Sequence, residues 1–193
     1  MSQLPPVRTR SRDNGWVEAT DHLKASLVAA IALANAFGAA SRQGRTAVPP
    51  EADDLRAVLR LTTNRVGDVD VAAYASGGKQ LYGALSSLPN VDEAVAVVNE
   101  LLRETKAVPQ LVREEGAPWH LHFGGPEATG WLAEFATAVA MLLGSDDVDR
   151  LRRCEAIRCD DLFLDSTRSR TQRFCSTACQ NRTKVAAHRA RVS

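Results

Sequence analysis

Four cysteines in the C-terminal part of the 193-residue chain constrain its fold more than any other feature. They are Cys154, Cys159, Cys175 and Cys179, with the spacing C-x4-C-x15-C-x3-C. Two close pairs separated by a long spacer are typical of a tetrahedral zinc site, in which each pair supplies one edge of the tetrahedron. The spacing therefore predicts one structural zinc ion with no open coordination position for catalysis.

Disulfide bonds are the alternative, because four cysteines allow three pairings. We find no signal peptide, and residues 1–149 resemble ordinary core-forming sequence that needs no cross-links. We therefore expect a cytoplasmic protein whose reduced thiols bind zinc. Because zinc binding supplies about 10–16 kcal/mol of folding free energy in structural zinc peptides, residues 151–193 should be disordered without the metal.

The residues around the cysteines predict a small zinc finger. The apolar run 162–164, a polar turn and a return strand indicate a hairpin, with Phe163 and Phe174 as a small core beside the metal. The segment NRTKVAAHRAR after Cys179 contains no Gly or Pro and predicts a helix. The last cysteine pair should then lie at a helix N-terminus, where the helix dipole favours thiolate. Knuckle, hairpin and helix together predict a treble-clef-like or ribbon-like module.

Charge divides the chain into two unlike parts. Residues 150–193 contain eleven Lys or Arg and four Asp or Glu, which gives +7, whereas residues 1–149 contain thirteen and nineteen, which gives −6. Four thiolates and one zinc ion subtract two from the first value and leave +5. The whole-chain charge of +1 conceals this asymmetry. A basic segment on an acidic body is typical of proteins that bind a phosphate backbone.

The basic side chains cluster on the predicted helix and turn. Lys184, His188 and Arg191 recur at i, i+4 and i+7 and so share one helix face, while Arg182 and Arg189 lie on a neighbouring face. The predicted nucleic-acid contacts are Arg168, Arg170, Arg173, Arg182, Lys184, His188, Arg189 and Arg191. Two alternatives stay open. The arginines can offset the negative charge of the zinc centre, and the helix can be solvated or dock on the acidic body.

Residues 151–191 resemble the CGNR zinc finger, the C-terminal module of a family of bacterial stress-induced transcription regulators whose N-terminal part is the ABATE domain. The matching motifs are LRRC at 151–154, LFLD at 162–165, the arginine-rich turn, FCS at 174–176 and CQNRTKVAAHRAR from Cys179. This chain has Gln180 where the family's Cys-Gly-Asn-Arg tetrad has glycine, and its last cysteine pair is one residue closer than is typical. The resemblance implies a DNA-binding regulator. It extends more weakly back to Val91.

The rest of the chain favours packed helices, because aromatic residues are few at 5% and alanine is plentiful. We predict a mainly α fold with a small β-hairpin: a disordered arm over 1–14, a helical ABATE-like domain over 15–149 and the zinc finger over 150–193. The predicted helices are 16–37, one that begins at Pro50, 71–76, 79–88, one that begins after Pro89-Asn90, and 126–144. We expect the acidic segment 146–149 to orient the finger.

Residues 107–112 and 117–123 predict two short paired strands. His120 and His122 alternate with apolar neighbours on the second strand and would supply half of a metal site. No further ligands are close in sequence, so an exposed strand face is favoured. His22 is predicted at the surface.

Two further polar features of the body are predicted. We expect Asn35 to be a buried, hydrogen-bonded amide. Residues 41–50 are predicted to form a loop.

The motifs of common enzymes are absent from the sequence, including the G-x-S-x-G elbow, HExxH and the Rossmann fingerprint. We therefore expect no enzyme activity, and the apolar run 27–34 is too short for a membrane span. Our leading hypothesis is a DNA-binding regulator whose helical domain senses a small molecule, forms a homodimer, or both. A protein-interaction adaptor and an RNA-binding protein are the alternatives.

Overall fold

A computed structural model describes residues 21–62, 66–113, 119–124 and 130–192 of the chain. In chain order the elements are α1 (Asp21–Gly38), β1 (Ser41–Arg42), β2 (Arg45–Thr46), α2 (Ala52–Leu59), α3 (Val71–Ser86), α4 (Val91–Glu104), β3 (Gln110–Val112), β4 (His120–His122), α5 (Gly130–Leu143), a 3-10 turn (Val148–Arg150), β5 (Leu151–Arg153), β6 (Leu162–Leu164) and α6 (Thr177–Val192). The prediction of a mainly α fold with a C-terminal zinc finger is confirmed. The predicted arm 1–14 lies outside the described residues.

Helix α1 is the central element of the body. Its Ala29, Ala30, Leu33 and Ala34 are fully buried, because small side chains let neighbouring helices approach closely from several directions. The helix packs against α2, α3 and α5 and also contacts strand β6 of the finger. One continuous apolar core therefore reaches from the body to the start of the finger.

The prediction of two short helices at 71–76 and 79–88 is wrong, because α3 runs without a break through Gly77 and Gly78. A Cβ atom on Gly77 would lie 2.7 Å from Leu132, and one on Gly78 would lie 3.0 Å from Phe37. Both glycines are contact points at which neighbouring elements touch the backbone of α3. Tight packing outweighs their unfavourable helix propensity of about 1 kcal/mol each.

Helix α2 begins later than predicted. Glu51 is its N-cap, and the backbone amide of Glu51 donates to the Asp54 carboxylate at 3.0 Å in a capping box. Pro50 therefore precedes the cap and is not part of the first turn. Leu55 and Leu59 of this helix are buried.

Strands β3 and β4 form the predicted antiparallel pair. The exposed face of β4 carries the apolar side chains, however, and not the histidines as predicted. Trp119 and Leu121 are 58% and 42% exposed, whereas the His122 side chain is 21% exposed and faces α5. His22, predicted at the surface, has only 16% of its side chain exposed. These histidine predictions are wrong because Glu134, buried in the most apolar helix, lies beside both imidazoles.

Several polar contacts join the finger to the body. The side-chain amide of Asn35 donates to the carbonyl of Leu162 at 2.8 Å and accepts from the backbone N–H of Leu162 at 2.7 Å. The prediction of a buried, hydrogen-bonded Asn35 is therefore confirmed. Tyr82 donates its hydroxyl to the Asp160 carbonyl at 2.8 Å.

The acidic segment 146–149 also contacts the finger. The Arg170 guanidinium pairs with Asp147 at 2.9 Å and with Asp149. The acidic segment therefore holds the basic turn, as predicted. Within the described ranges, no helix has the length and apolar character that crossing a membrane requires.

Candidate metal centre

The four cysteine sulfurs converge into one cage. The Cys159 and Cys175 sulfurs are 3.8 Å apart, the Cys175 and Cys179 sulfurs are 3.6 Å apart, and all four lie within 4.8 Å of one another. Four sulfurs bound to one tetrahedral zinc ion at about 2.3 Å lie about 3.8 Å from each other. The observed spacings fit such a cage and are too long for the S–S bonds of about 2.05 Å in the disulfide alternative. The structure thus positions the cysteines to bind one zinc ion.

The cage is built from one turn and one helix start. Cys154 and Cys159 lie in a knuckle between β5 and β6, and Arg158 turns the chain there with a φ of +57°. Strand β6 pairs with β5, in register Leu151 to Leu164, so the predicted pairing with a return strand near Phe174 is wrong. Phe174 nevertheless packs beside the cysteines, as predicted.

Residues 165–173 form a loop and not the predicted return strand, and this loop is organised by the buried Asp165. Asp165 follows β6 and is 1% exposed, and its carboxylate accepts from the backbone amides of Thr167 and Gln172, both at 2.8 Å. These bonds outweigh the effect of burial and lower the pKa of Asp165. Asp165 therefore holds the arginine-rich turn as a compact loop.

The second cysteine pair lies at the start of α6, as predicted. The Ser176 hydroxyl accepts from the Cys179 amide at 3.3 Å, the usual role of a helix N-cap. Gln180 is exposed and helical, and its amide donates to the Ser176 carbonyl at 3.1 Å. The backbone therefore needs no glycine at this position.

The sulfurs do not ionise equally. Burial raises the pKa of Cys159 to about 11, and burial together with the neighbouring sulfurs raises that of Cys175 still further. Burial also disfavours the Cys179 thiolate, but hydrogen bonds from Ser176 and Arg182 outweigh it and lower the pKa to about 7. Four adjacent thiolates need a cation among them, and a divalent zinc ion supplies that charge.

The body contributes directly to the metal centre through the hairpin β1–β2. The Gln43 amide donates to the Cys159 sulfur at 3.4 Å, and the Gly44 amide donates to the Arg158 carbonyl at 2.8 Å. Gln43 and Gly44 both have positive φ, which a two-residue hairpin turn requires. The prediction of a loop over 41–50 is therefore wrong for the paired residues. The Gln-Gly pair is a signal of a two-residue hairpin turn, but the flanking residues lack the alternation of apolar and polar residues that indicates a strand.

A second set of bonds fastens the hairpin to the knuckle. The Ser41 amide and hydroxyl donate to the Asp160 carboxylate at 2.9 and 2.7 Å, and the Arg42 guanidinium pairs with Asp161 at 2.7 Å. Asp161 is buried beside the sulfurs of Cys159 and Cys175. Hairpin and knuckle are therefore one unit around the metal cage.

Among the predicted nucleic-acid residues, Arg170, Arg173 and Arg182 contact acidic side chains or a cysteine sulfur. Arg170 binds the acidic segment, Arg173 pairs with Glu155 at 2.5 Å, and Arg182 donates to the Cys179 sulfur at 3.3 Å. The Arg182 contact is the charge-offsetting role that the sequence left open. The other five predicted residues are exposed: Arg168, Lys184, His188, Arg189 and Arg191.

A groove of about 820 Å³ separates the arginine-rich turn from α6. Basic side chains of both walls line it, together with several hydroxyl groups. These residues are Arg173, Lys184, Arg191, Thr167, Thr171, Ser176, Thr177 and Thr183. The predicted set is therefore only partly brought together, with Arg173, Lys184 and Arg191 at one groove.

Residues 150–192 match the family model described as the CGNR zinc finger. The matched range contains the whole knuckle, the arginine-rich turn and α6. No curated protein matches the chain. The match does not include the helical body, so the ABATE-like character of residues 15–149 stays a prediction.

Proposed function

We propose that the protein is a transcription regulator that binds duplex DNA through its zinc finger. The surface of α6 carries this proposal. Over its sixteen residues the helix has five basic or histidine side chains and no acidic one, and Lys184, His188 and Arg191 are exposed on one face. A helix of this width fits the major groove of B-DNA, which is about 12 Å wide.

The composition of the groove beside α6 supports contact with phosphate. Arg and Lys side chains and Ser or Thr hydroxyls are the groups that most often bind phosphate oxygens in protein–DNA complexes. The groove presents both kinds on facing walls. A phosphate in the groove would contact the turn and the helix at once.

The opposite charges of the body and the finger support an orientation in which the finger faces the DNA. Residues 1–149 carry a formal charge of −6, so a polyanion repels the body and attracts the finger, which carries +7 before the thiolates and zinc are counted. Arg168 and Lys184 are exposed and have no acidic partner within ion-pair distance in the described part of the chain. Both side chains are therefore available for a new partner.

A charge-reversal series tests the proposal. Lys184→Glu should weaken binding to duplex DNA and make the dependence of log K on log salt shallower by about one unit, since one phosphate contact is lost. Lys79→Glu on the exposed surface of α3 has the same net charge change and should leave binding nearly unchanged. Each variant should contain as much zinc as wild type, which would show that its finger is folded. Equal DNA affinity for wild type, Lys184→Glu and Arg168→Glu would contradict the proposal.

A protein-interaction adaptor is the second candidate, and two exposed apolar side chains favour it. Ile157 and Val185 are 65% and 49% exposed, and the Arg182 guanidinium donates to the Ile157 carbonyl at 3.2 Å, which brings the knuckle against α6. The same titration with structured RNA and with an acidic peptide separates the candidates. Salt-dependent binding to duplex DNA that exceeds binding to both other probes would favour the regulator.

A further inference from the structure

Two of the four histidines in the chain flank one buried carboxylate in the body, far from the cysteine cage in sequence, and a third lies beside the first. His22 is on α1, His120 and His122 are on β4, and Glu134 is on α5. The His22 ring centre is 4.8 Å from that of His120 and 6.2 Å from that of His122. Elements separated by about a hundred residues thus bring imidazole groups to a single point.

The distances around Glu134 are those of a ligand set. His22 Nε2 lies 3.2 Å from Glu134 Oε1, and His122 Nδ1 lies 3.2 Å from Glu134 Oε2. The chosen nitrogen and oxygen atoms of the three residues all lie within 4.8 Å of one another. Nitrogen and oxygen ligands about 2.0–2.1 Å from one tetrahedral ion are about 3.3 Å apart. The two nitrogen–oxygen spacings of 3.2 Å are close to this value, and each involves a different oxygen of Glu134. One ion would draw together ligand atoms that already lie within 4.8 Å of one another.

The carboxylate is held as a metal ligand would be. Glu134 is fully buried, and its oxygens also accept from the Phe123 amide at 2.8 Å and from the Ser26 hydroxyl at 3.3 Å. Such supporting hydrogen bonds orient carboxylate ligands in known metal sites.

The buried carboxyl group of Glu134 has no Lys or Arg partner within ion-pair distance in the described part of the chain. His22 Nε2 is also buried, and its approach to Glu134 does not have the geometry of a hydrogen bond, so this nitrogen has no hydrogen-bond partner among the described residues. A carboxylate without a fixed charge partner and an unpaired imidazole nitrogen beside it are what a missing cation would satisfy.

We propose that His22, His122 and Glu134 bind a second divalent transition-metal ion, separate from the zinc of the finger. Two imidazoles and one carboxylate suit zinc and its first-row neighbours and leave a coordination position open, unlike the closed four-sulfur cage. Both imidazoles are partly exposed, at 16% and 21% of the side chain, which places the cluster close to the surface. A metal-free His–Glu–His cluster is the competing account.

Metal stoichiometry distinguishes the two accounts. The full-length protein, loaded with Zn²⁺ and equilibrated by dialysis against micromolar free Zn²⁺, should hold two ions per chain, one for each ligand cluster. His122→Ala and Glu134→Gln should hold one. His188→Ala is the matched control, because it removes the exposed histidine of α6, and it should retain two ions. A single ion in wild type, or a second ion that persists in both variants, would overturn the proposal.

A second measurement keeps the test valid if a variant at Glu134 fails to fold. His22→Ala removes a partly exposed ring, and retention of the finger zinc together with cooperative thermal unfolding would show that it folds. Added Zn²⁺ should raise the melting temperature of finger-loaded wild type and His188→Ala but not of His22→Ala, because only a ligand that binds the native state stabilises it. Equal shifts in all three proteins would exclude His22 as a ligand.

Discussion

The body and the finger of this protein are stabilised by different means. In the body, large side chains such as Leu33, Tyr74 and Phe135 are fully buried among helices. In the finger, Leu151 and Leu162 join the core of the body, and the separate buried cluster consists of Cys154, Ala156, Cys159, Phe163 and Cys179, so three of its five members are metal ligands. Within one chain, apolar burial organises one region and metal coordination the other.

The amounts of buried apolar surface explain this difference. A fully buried large apolar side chain contributes about 1.5–3 kcal/mol, and the body has many of them. The separate cluster of the finger contains Phe163 as its one large buried apolar side chain among the described residues. Zinc binding, at about 10–16 kcal/mol in comparable modules, is therefore the larger contribution in the finger.

Loss of a zinc ligand should have the largest effect. Cys175→Ser should abolish zinc binding at the cage and unfold the finger, since most of the binding free energy of about 10–16 kcal/mol is lost with it. Ser176→Ala is the control, because it removes the N-cap of α6 and a hydrogen bond to the Cys179 sulfur but no metal ligand, at a cost of about 1 kcal/mol. Zinc analysis and circular dichroism measure both variants. A folded finger in Cys175→Ser would contradict the comparison.

A core substitution in the body should have the next largest effect. Phe135→Ala should lower the free energy of unfolding by about 3–5 kcal/mol, because it leaves a cavity between helices. Urea denaturation of the zinc-loaded protein measures this change. The zinc cage should be retained in native conditions, and loss of its zinc would show that the two regions are not stabilised separately.

The junction between the regions should have a smaller effect than either core. Asn35→Ala leaves the N–H and the carbonyl of Leu162 buried without partners, which should cost about 2–4 kcal/mol. Asn181→Ala on the exposed surface of α6 is the matched control. Amide exchange at β6 should accelerate only in Asn35→Ala. An unchanged exchange rate at β6 would show that Asn35 is not the main link between the body and the finger.

The ion pairs of Arg170 should have the smallest effect. Arg170→Ala removes partly exposed contacts to Asp147 and Asp149, so stability should fall less than in Asn35→Ala. Because salt screens such pairs, the difference from wild type should shrink in high salt. Thermal unfolding at low and high ionic strength checks this. A difference that is large and independent of salt would indicate a packing role for Arg170.

Local patterns were enough to predict the cysteine cage, helix α4 and the start of α6, because each depends on spacing within a short segment. They failed where the decisive partner is distant. The pair Gly77-Gly78 predicts a helix break, whereas the contacts that keep the helix continuous, Leu132 and Phe37, lie on other helices. Spacing alone cannot reveal such contacts.

The same reason explains two omissions in the sites. The amide of Gln43 reaches a sulfur 116 residues away, and a two-residue turn with weak strands gives little indication of it. Glu134 was overlooked because its helix is otherwise apolar, although a lone acid in such a helix is itself a signal of a buried polar site.

Amide hydrogen exchange before and after zinc chelation tests the central claim most directly. We predict that β5, β6 and α6 lose protection once the metal is removed. Helices α1, α3, α4 and α5 should keep their protection, except next to Asn35, the hairpin β1–β2 and the cluster of His22, His122 and Glu134. Protection of the finger that survives complete removal of zinc would contradict the account, and so would simultaneous loss of protection throughout the body.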